Sequence, residues 1–329
     1  MAFPETRLRR LRTNAGIRRL TDAPNPDARK FIWPVFCVPG DTAKENIPAM
    51  PGQYRLGLNA LLKEAEAAVL QGIGGILVFG IPEPACKSSD GSAACLDKGI
   101  IPSAVRALKK NFPELPVFTD VCLCAYTSHG HCGPLDARGS VDNDAALPIL
   151  AETALCHARA GADGTAPSAM MDGQVQAIRK KLDGEGFSHT VIMSYSTKFA
   201  SSLYGPFREA NSSAPGKGDR KGYQQSFRFR NQAVLESLED ETECADILMV
   251  KPSLWYLDIL HELKKRTLLP IAAYNVSGEY SMLHAAAERG WGNLHDMARE
   301  SLFALERAGA DIILSYWARY YGELFSGRE

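Results

Sequence analysis

No apolar run in this 329-residue chain approaches the ~20 residues that a membrane-spanning helix needs; the nearest, around residues 73–81, is short and broken by glycine. A membrane protein is not expected. Charge of one sign is missing as well. The 37 basic and 38 acidic side chains leave a formal net charge of −1, with no overall field to attract nucleic acid or an anionic membrane. Any anion recognition must then come from local clusters. The N-terminus carries Arg7, Arg9, Arg10, Arg12, Arg18 and Arg19 but lacks the apolar centre of a secretory signal, and Glu5 and Asp22 count against a transit peptide. The expected location is the cytoplasm. Eight cysteines in a chain this long are too dilute for a disulfide scaffold. Phosphate-binding loops are absent too: neither GxGxxG nor GxxxxGK[ST] occurs, and the glycines at 72–75 precede their apolar run instead of following it.

What is present is an ordinary globular composition, 45% hydrophobic, organised by one recurring phrase. RAGADGTAPS at 159–168 and RAGADIILSY at 307–316 share a helix end, a glycine stop and a buried strand, with variants at 71–80 and 243–252. Strands are predicted at 33–38, 75–80, 116–121, 162–167, 190–195, 245–250, 270–275 and 310–316. Between them, Leu58, Leu61, Leu62, Ala65 and Val69, or Val175, Ile178 and Leu182, repeat at three-to-four spacing and mark helices with one apolar face. Strands apolar on both faces and joined by helices are parallel and covered on both sides. Eight such units suit an α/β fold of the (β/α)8 TIM-barrel type best, with a doubly wound open sheet as the alternative. The expected organisation is an N-terminal arm over residues 1–30 and one catalytic barrel over 31–329, with a polar, Gly- and Ser-rich lid at about 207–230.

In such a barrel the chemistry sits at the C-terminal strand ends, where the sequence places Phe79, Asp120, Cys122, Cys124, Ser168, Asp172, Tyr195, Lys198, Lys251, Tyr274, Ser277 and Tyr316. Lys251 directly follows the run ILMV, so its amine should emerge beside apolar walls. The fifth and sixth strands are neighbours, so Lys198 should lie close by. Desolvation and a second cation both favour a neutral amine, which can attack a ketone to form a Schiff base. Two such lysines imply two carbonyl substrates, or one nucleophile and one helper. Cys122, Cys124 and Cys132 crowd into eleven positions with the spacing C-x-C-x7-C, unlike the paired CxxC of zinc ribbons. Three thiolates leave a fourth tetrahedral position for water or substrate, although buried thiols, or a structural site completed by His129 or His131, are alternatives. Asp120 is a candidate acid/base group beside this cluster. In the lid, Arg208, Lys217, Arg220, Lys221, Arg228 and Arg230 provide cations, of which Arg208 and Arg220 can clamp a substrate carboxylate bidentately. Ser277 and Tyr316 can hydrogen-bond a second carboxylate. Ser168, Tyr195 and Tyr274 complete the expected substrate contacts.

These residues sit in long phrases: FTDVCLCAYTSHGHCG, GADGTAPSAMMDGQVQAIR, IMSYSTKFASSLYGPFREA, KGDRKGYQ, DILMVKP, YNVSGEY and GADIILSY. Along its whole length the chain resembles the 5-aminolevulinate dehydratase (porphobilinogen synthase) family. The resemblance implies condensation of two 5-aminolevulinate molecules to porphobilinogen with loss of two waters, in tetrapyrrole and haem synthesis. It implies a homo-oligomer, an octamer assembled through the arm. It further implies that Lys251 holds the first substrate as a Schiff base with Ser277 and Tyr316 on its carboxylate. Lys198 would engage the second, whose carboxylate meets Arg208, Arg220 and Gln224. Cys122, Cys124 and Cys132 would carry zinc, with Asp120 beside it, and Glu236 matches an allosteric magnesium ligand of some bacterial members. Trp255 and Ala169 depart from the pattern of many members; the first is expected to reshape the helix beside Lys251. Two other readings compete: a class I aldolase acting on sugar phosphates, which leaves the cysteines idle, and a zinc-holding assembly protein on an inactive barrel.

Overall fold

The repeated phrase folds as its spacing predicts. In the computed structural model, which describes residues 2–216 and 218–326, the helix Asn143–Arg159 gives way to Gly161 at φ +100° and then to the strand Gly164–Pro167. Gly309, at φ +118°, caps the helix Leu294–Ala308 in the same way. A Cβ there would sit 3.0 Å from the Lys264 side chain in a left-handed conformation that other residues rarely adopt, so glycine is required on both counts.

One sheet contains β1 (Phe31–Cys37), β2 (Lys44–Asn46), β3 (Tyr54–Leu56), β4 (Gly75–Gly80), β5 (Val117–Val121), β6 (Gly164–Pro167), β7 (Val191–Lys198), β8 (Ile247–Lys251), β9 (Ile271–Asn275) and β10 (Ile312–Ser315). Strands β4 to β10 follow β1 in chain order, all parallel, and pairing of β10 with β1 closes a barrel of eight. The open-sheet alternative is excluded by that closure. Every residue of β1, β4, β6, β8 and β9 is buried, as strands covered on both faces require. Val175, Ile178 and Leu182 form the predicted buried stripe. In the helix Leu58–Leu70 the buried residues are Leu61, Ala65 and Ala68, whereas Val69 is exposed. One residue is about 100° of helix rotation, which carries Val69 off the stripe that Ala68 occupies.

Two local features differ from the expected strands. β7 continues to Lys198, past a bulge between Ser194 and Thr197. Its outward polar side chains are satisfied by the covering helix Arg230–Thr242: Thr197 Oγ1 donates to Ala233 O at 2.9 Å and meets Ser237 Oγ at 2.7 Å. The hairpin β2–β3 was not expected at all; β3 runs parallel to the end of β1, and β2 is fully exposed. From residue 2 to residue 25 only Ile17 is other than exposed. Among the described residues no helix is long and apolar enough to cross a membrane.

Candidate active site

Register brings the two lysines together. Lys198 and Lys251 end β7 and β8 as direct partners in the ladder, and they are only 6% and 4% exposed. Lys251 Nζ lies within 4.1–5.9 Å of the centroids of five rings, Tyr274, Phe207, Tyr195, Tyr204 and Phe79. Burial, then the Lys198 cation, hold the Lys251 amine well below its ordinary range. The ring faces attract a cation and so act against this shift, and they would equally favour an iminium formed at the same atom. Lys198 Nζ donates to the backbone oxygen of Ser168. Tyr204 and Phe207 are contributions that the sequence reasoning missed. Tyr204 donates through its hydroxyl to Lys251 O at 3.0 Å, and Phe207 N donates to Ser277 Oγ at 3.0 Å. Both lie in the phrase LYGPFREA at 203–210, where aromatics between polar residues were the available signal.

The hydroxyls of Tyr274 and Tyr316 meet at 3.4 Å, in a fully buried pair behind Lys251. Asp120 Oδ1, the Tyr195 hydroxyl and both amide atoms of Gln224 are buried without a protein partner, as are Nε of Arg208 and Nε of Arg220. Orphaned polar atoms of this kind are costly unless something else satisfies them. Asp120, Cys124, Ser168, Lys198 and Lys251 from the barrel share one cavity with Arg208, Arg220 and Gln224 from the lid. The cavity measures only ≈ 20 Å³, room for about one water. A pocket of that size does not hold a substrate molecule alongside these side chains.

The three cysteines converge: Sγ of Cys122, Cys124 and Cys132 lie within 4.8 Å of one another, all buried, with Cys122 and Cys124 at 3.5 Å. Tetrahedral zinc with Zn–S of about 2.3 Å would place its sulfurs about 3.8 Å apart, so the donor set fits that ion. Hydrogen bonding to Cys124 and Cys132, with burial, raises the Cys122 thiol well above its usual range. Cys132, accepting from both partners, falls well below. Burial works against the charge of Arg220, but the neighbouring Cys132 and Cys124 keep it a cation. The histidine-completed alternative is not realised. His131 Nδ1 meets the Tyr223 hydroxyl at 3.1 Å, and His129 Nε2 meets Ser89 O at 3.0 Å. Among the described residues, the cysteines are the one group of three or more His, Cys, Asp or Glu that converges in this way.

Glu236 is not brought to the lysines. It lines a wide groove of ≈ 1000 Å³ on the other face of the lid, with Asp172, Glu239, Asp240 and Glu243, and its carboxylate accepts from Gln225 Nε2. Trp255 is 62% exposed, just before the helix Leu257–Arg266, and Ala169 is buried in the core. Lys217 lies outside the described residues. Within the groove, burial pushes the Asp240 carboxyl up to about 7, against the hydrogen bond from Ser194 and with help from Glu243 and Glu236. A carboxyl that holds its proton longer when folded makes the protein lose stability as pH rises from about 4 to about 7. Asp240→Asn is accordingly expected to raise the melting temperature at pH 8 and leave it little changed at pH 4. Equal effects at both pH values in thermal melts would contradict this.

The family model for delta-aminolevulinic acid dehydratase matches residues 5–324. The delta-aminolevulinic acid dehydratase of Helicobacter pylori is 48% identical over 319 residues, covering 97% of this chain and 98% of that protein. That of Bacillus subtilis is 46% identical, covering 95% and 96%. The crystal structure of the Toxoplasma gondii enzyme in complex with its reaction product porphobilinogen superposes with a TM-score of 0.94 at 42% identity, covering 97% of this chain and 91% of that one. With matches of this length and identity, a closed barrel and a converging cysteine triad, the chain belongs to the delta-aminolevulinic acid dehydratase (porphobilinogen synthase) family and is a hydro-lyase.

Proposed function

We propose that the chain condenses two molecules of 5-aminolevulinate to porphobilinogen, with Lys251 as the nucleophile that captures the first. The observation that carries this reading is the pairing of two buried lysines at adjacent strand ends, with one amine held neutral, beside three convergent thiols. The neutral Lys251 amine adds to the ketone carbon, and loss of the hydroxyl as water leaves an iminium facing the five rings. Asp120, with an unpartnered buried oxygen in the same cavity, is placed to pass a proton to the departing hydroxyl. The iminium acidifies the adjacent C–H bonds of the first substrate, so a carbon–carbon bond can form to the ketone carbon of the second, whose oxygen leaves as the second water. The second substrate's amino group then adds at the imine carbon, closing the remaining bond and displacing the Lys251 amine. Ser277 and Tyr316 bind the first carboxylate, while Tyr195, Tyr274 and Ser168 shape the pocket around the imine.

Lys198 engages the second substrate, whose carboxylate meets Arg208, Arg220 and Gln224 as the lid closes and shuts out water. Cys122, Cys124 and Cys132 would hold the zinc, which when bound would supply Lewis acidity and orientation for the second substrate. Glu236 offers a single carboxylate to magnesium, an ion that commonly completes its octahedron with water. Residues 1–30 serve as an oligomer-forming arm, with an octamer as the expected assembly, and the enzyme works in the cytoplasm.

Arg208→Ala is expected to raise KM for 5-aminolevulinate about 10-fold or more, with a smaller loss in kcat. An unchanged KM in steady-state kinetics would remove Arg208 from the carboxylate clamp. The function itself is tested by supplying zinc-loaded protein with 5-aminolevulinate alone. Porphobilinogen is the predicted product, and turnover confined to phosphorylated sugars would overturn the reading in favour of an aldolase.

A further inference from the structure

Glu279 is a glutamate with no exposed surface, and the mechanism above does not use it. It occupies the first turn of the helix Ser277–Glu288, where a carboxylate that folds back to the cap is an ordinary way to satisfy orphan N–H groups. Only part of its bonding does this. Oε2 accepts from Val276 N at 2.9 Å and from Asn275 Nδ2 at 3.0 Å, but Oε1 reaches across to Leu254 N at 2.9 Å, in the turn that follows β8. The bonding continues in the opposite direction. Asn275 Oδ1 accepts from Ser315 Oγ at 2.9 Å, and Ser315 Oγ accepts from Trp317 N at 3.1 Å. Asn275 and Ser315 are also fully buried.

The three strand ends joined in this way carry Lys251, Ser277 and Tyr316: Leu254 is three residues after Lys251, Asn275 two before Ser277, and Ser315 adjoins Tyr316. A helix cap alone would not call for burying a carboxylate, since a serine, threonine or aspartate at the cap position would do; that position is Val276. We infer that Glu279 is a positioning residue, which with Asn275 and Ser315 holds the imine-forming Lys251 in register with the two groups that bind the first substrate's carboxylate. The inference rests on the roles proposed above for those three residues. Every neighbour donates to Glu279, so it acts as an acceptor at both oxygens, a task a carboxamide cannot perform: one oxygen would become an NH2 facing another donor. The turn beside Lys251 is tied to Glu279 through the backbone of Ser253 and Leu254, and losing these links would free it.

Borohydride trapping of 5-aminolevulinate on Lys251 tests this. Glu279→Gln should lower the trapping rate at saturating substrate about tenfold or more, with zinc content and circular dichroism unchanged. Ser315→Ala breaks only the link toward Tyr316. It should raise KM several-fold, by about the loss of one hydrogen bond, and leave the trapping rate at saturation within about twofold of the wild type. A folded Glu279→Gln variant that traps at the wild-type rate would overturn the inference and leave the assignment of Lys251 standing. If Glu279→Gln does not fold, an unchanged KM in Ser315→Ala would overturn it. Failure of the wild-type protein to trap substrate on Lys251 would instead remove the functional reading on which the inference rests.

Discussion

Lys251→Ala is expected to lower kcat by about three orders of magnitude or more, because covalent capture of the first ketone has no substitute in the cavity. Lys198 is the register partner of Lys251 and shares its cavity, but its Nζ donates to Ser168 O, and it stands farther from the ring cluster, 5.4 Å from Tyr195, than the amine it would replace. The loss should be chemical and not structural. Lys251 is buried beside another lysine, so its protonated form is penalised by burial and repulsion, and Lys251→Met, which fills the same space without the amine, should melt at or above the wild-type temperature. The pH dependence has a definite sign. The unfolded lysine binds its proton up to its ordinary value, whereas the folded one releases it earlier. Stability of the wild type therefore falls as pH drops toward the depressed folded value, and the Met variant lacks that slope. Activity falls at lower pH still, around and below the depressed folded value, where the folded amine becomes protonated. Steady-state assays with thermal melts across pH check both outcomes; substantial turnover in the folded Ala variant would remove Lys251 from its role.

Cys124→Ala carries the second large effect. Two sulfurs remain, and among the described residues no histidine nitrogen or carboxylate oxygen converges with them to take the third place. Zinc affinity should fall about 100-fold or more, since even changes to groups that merely support metal ligands cost about 10- to 100-fold. Activity at limiting zinc should fall in proportion. Removing zinc from the wild type by chelation should silence it, and adding zinc back should restore it. Metal titration and assay of the same samples decide the point, and full activity in zinc-free protein would contradict the assignment.

Much of this architecture was readable from residue order, for identifiable reasons. Glycine after a helix forces a left-handed stop, so the RAGAD phrases located two helix-to-strand transitions, and the run ILMV fixed where Lys251 emerges. The lysine pair followed from the adjacency of successive strands in a closed barrel. The extension of β7 to Lys198 was not readable, since Ser196 and Thr197 look like a loop until the bulge turns Thr197 toward a helix that accepts its hydroxyl. β2 is three exposed residues, too short and polar for any period to register. Burial of Glu279 was equally hidden, because a glutamate in a first helical turn is ordinarily a solvated cap, and only the approach of the Leu254 turn in three dimensions encloses it. Tyr204 and Phe207 reach Lys251 from the short helical segments after β7, a contact without local periodicity.

The most direct measurement is reduction by borohydride of the zinc-loaded protein in the presence of 5-aminolevulinate, followed by peptide mapping of the adduct across pH. The account predicts one substrate fixed to Lys251, with a yield that declines as acid protonates that amine. A substrate attached only to solvent-exposed lysines, or none attached at any pH, would contradict it.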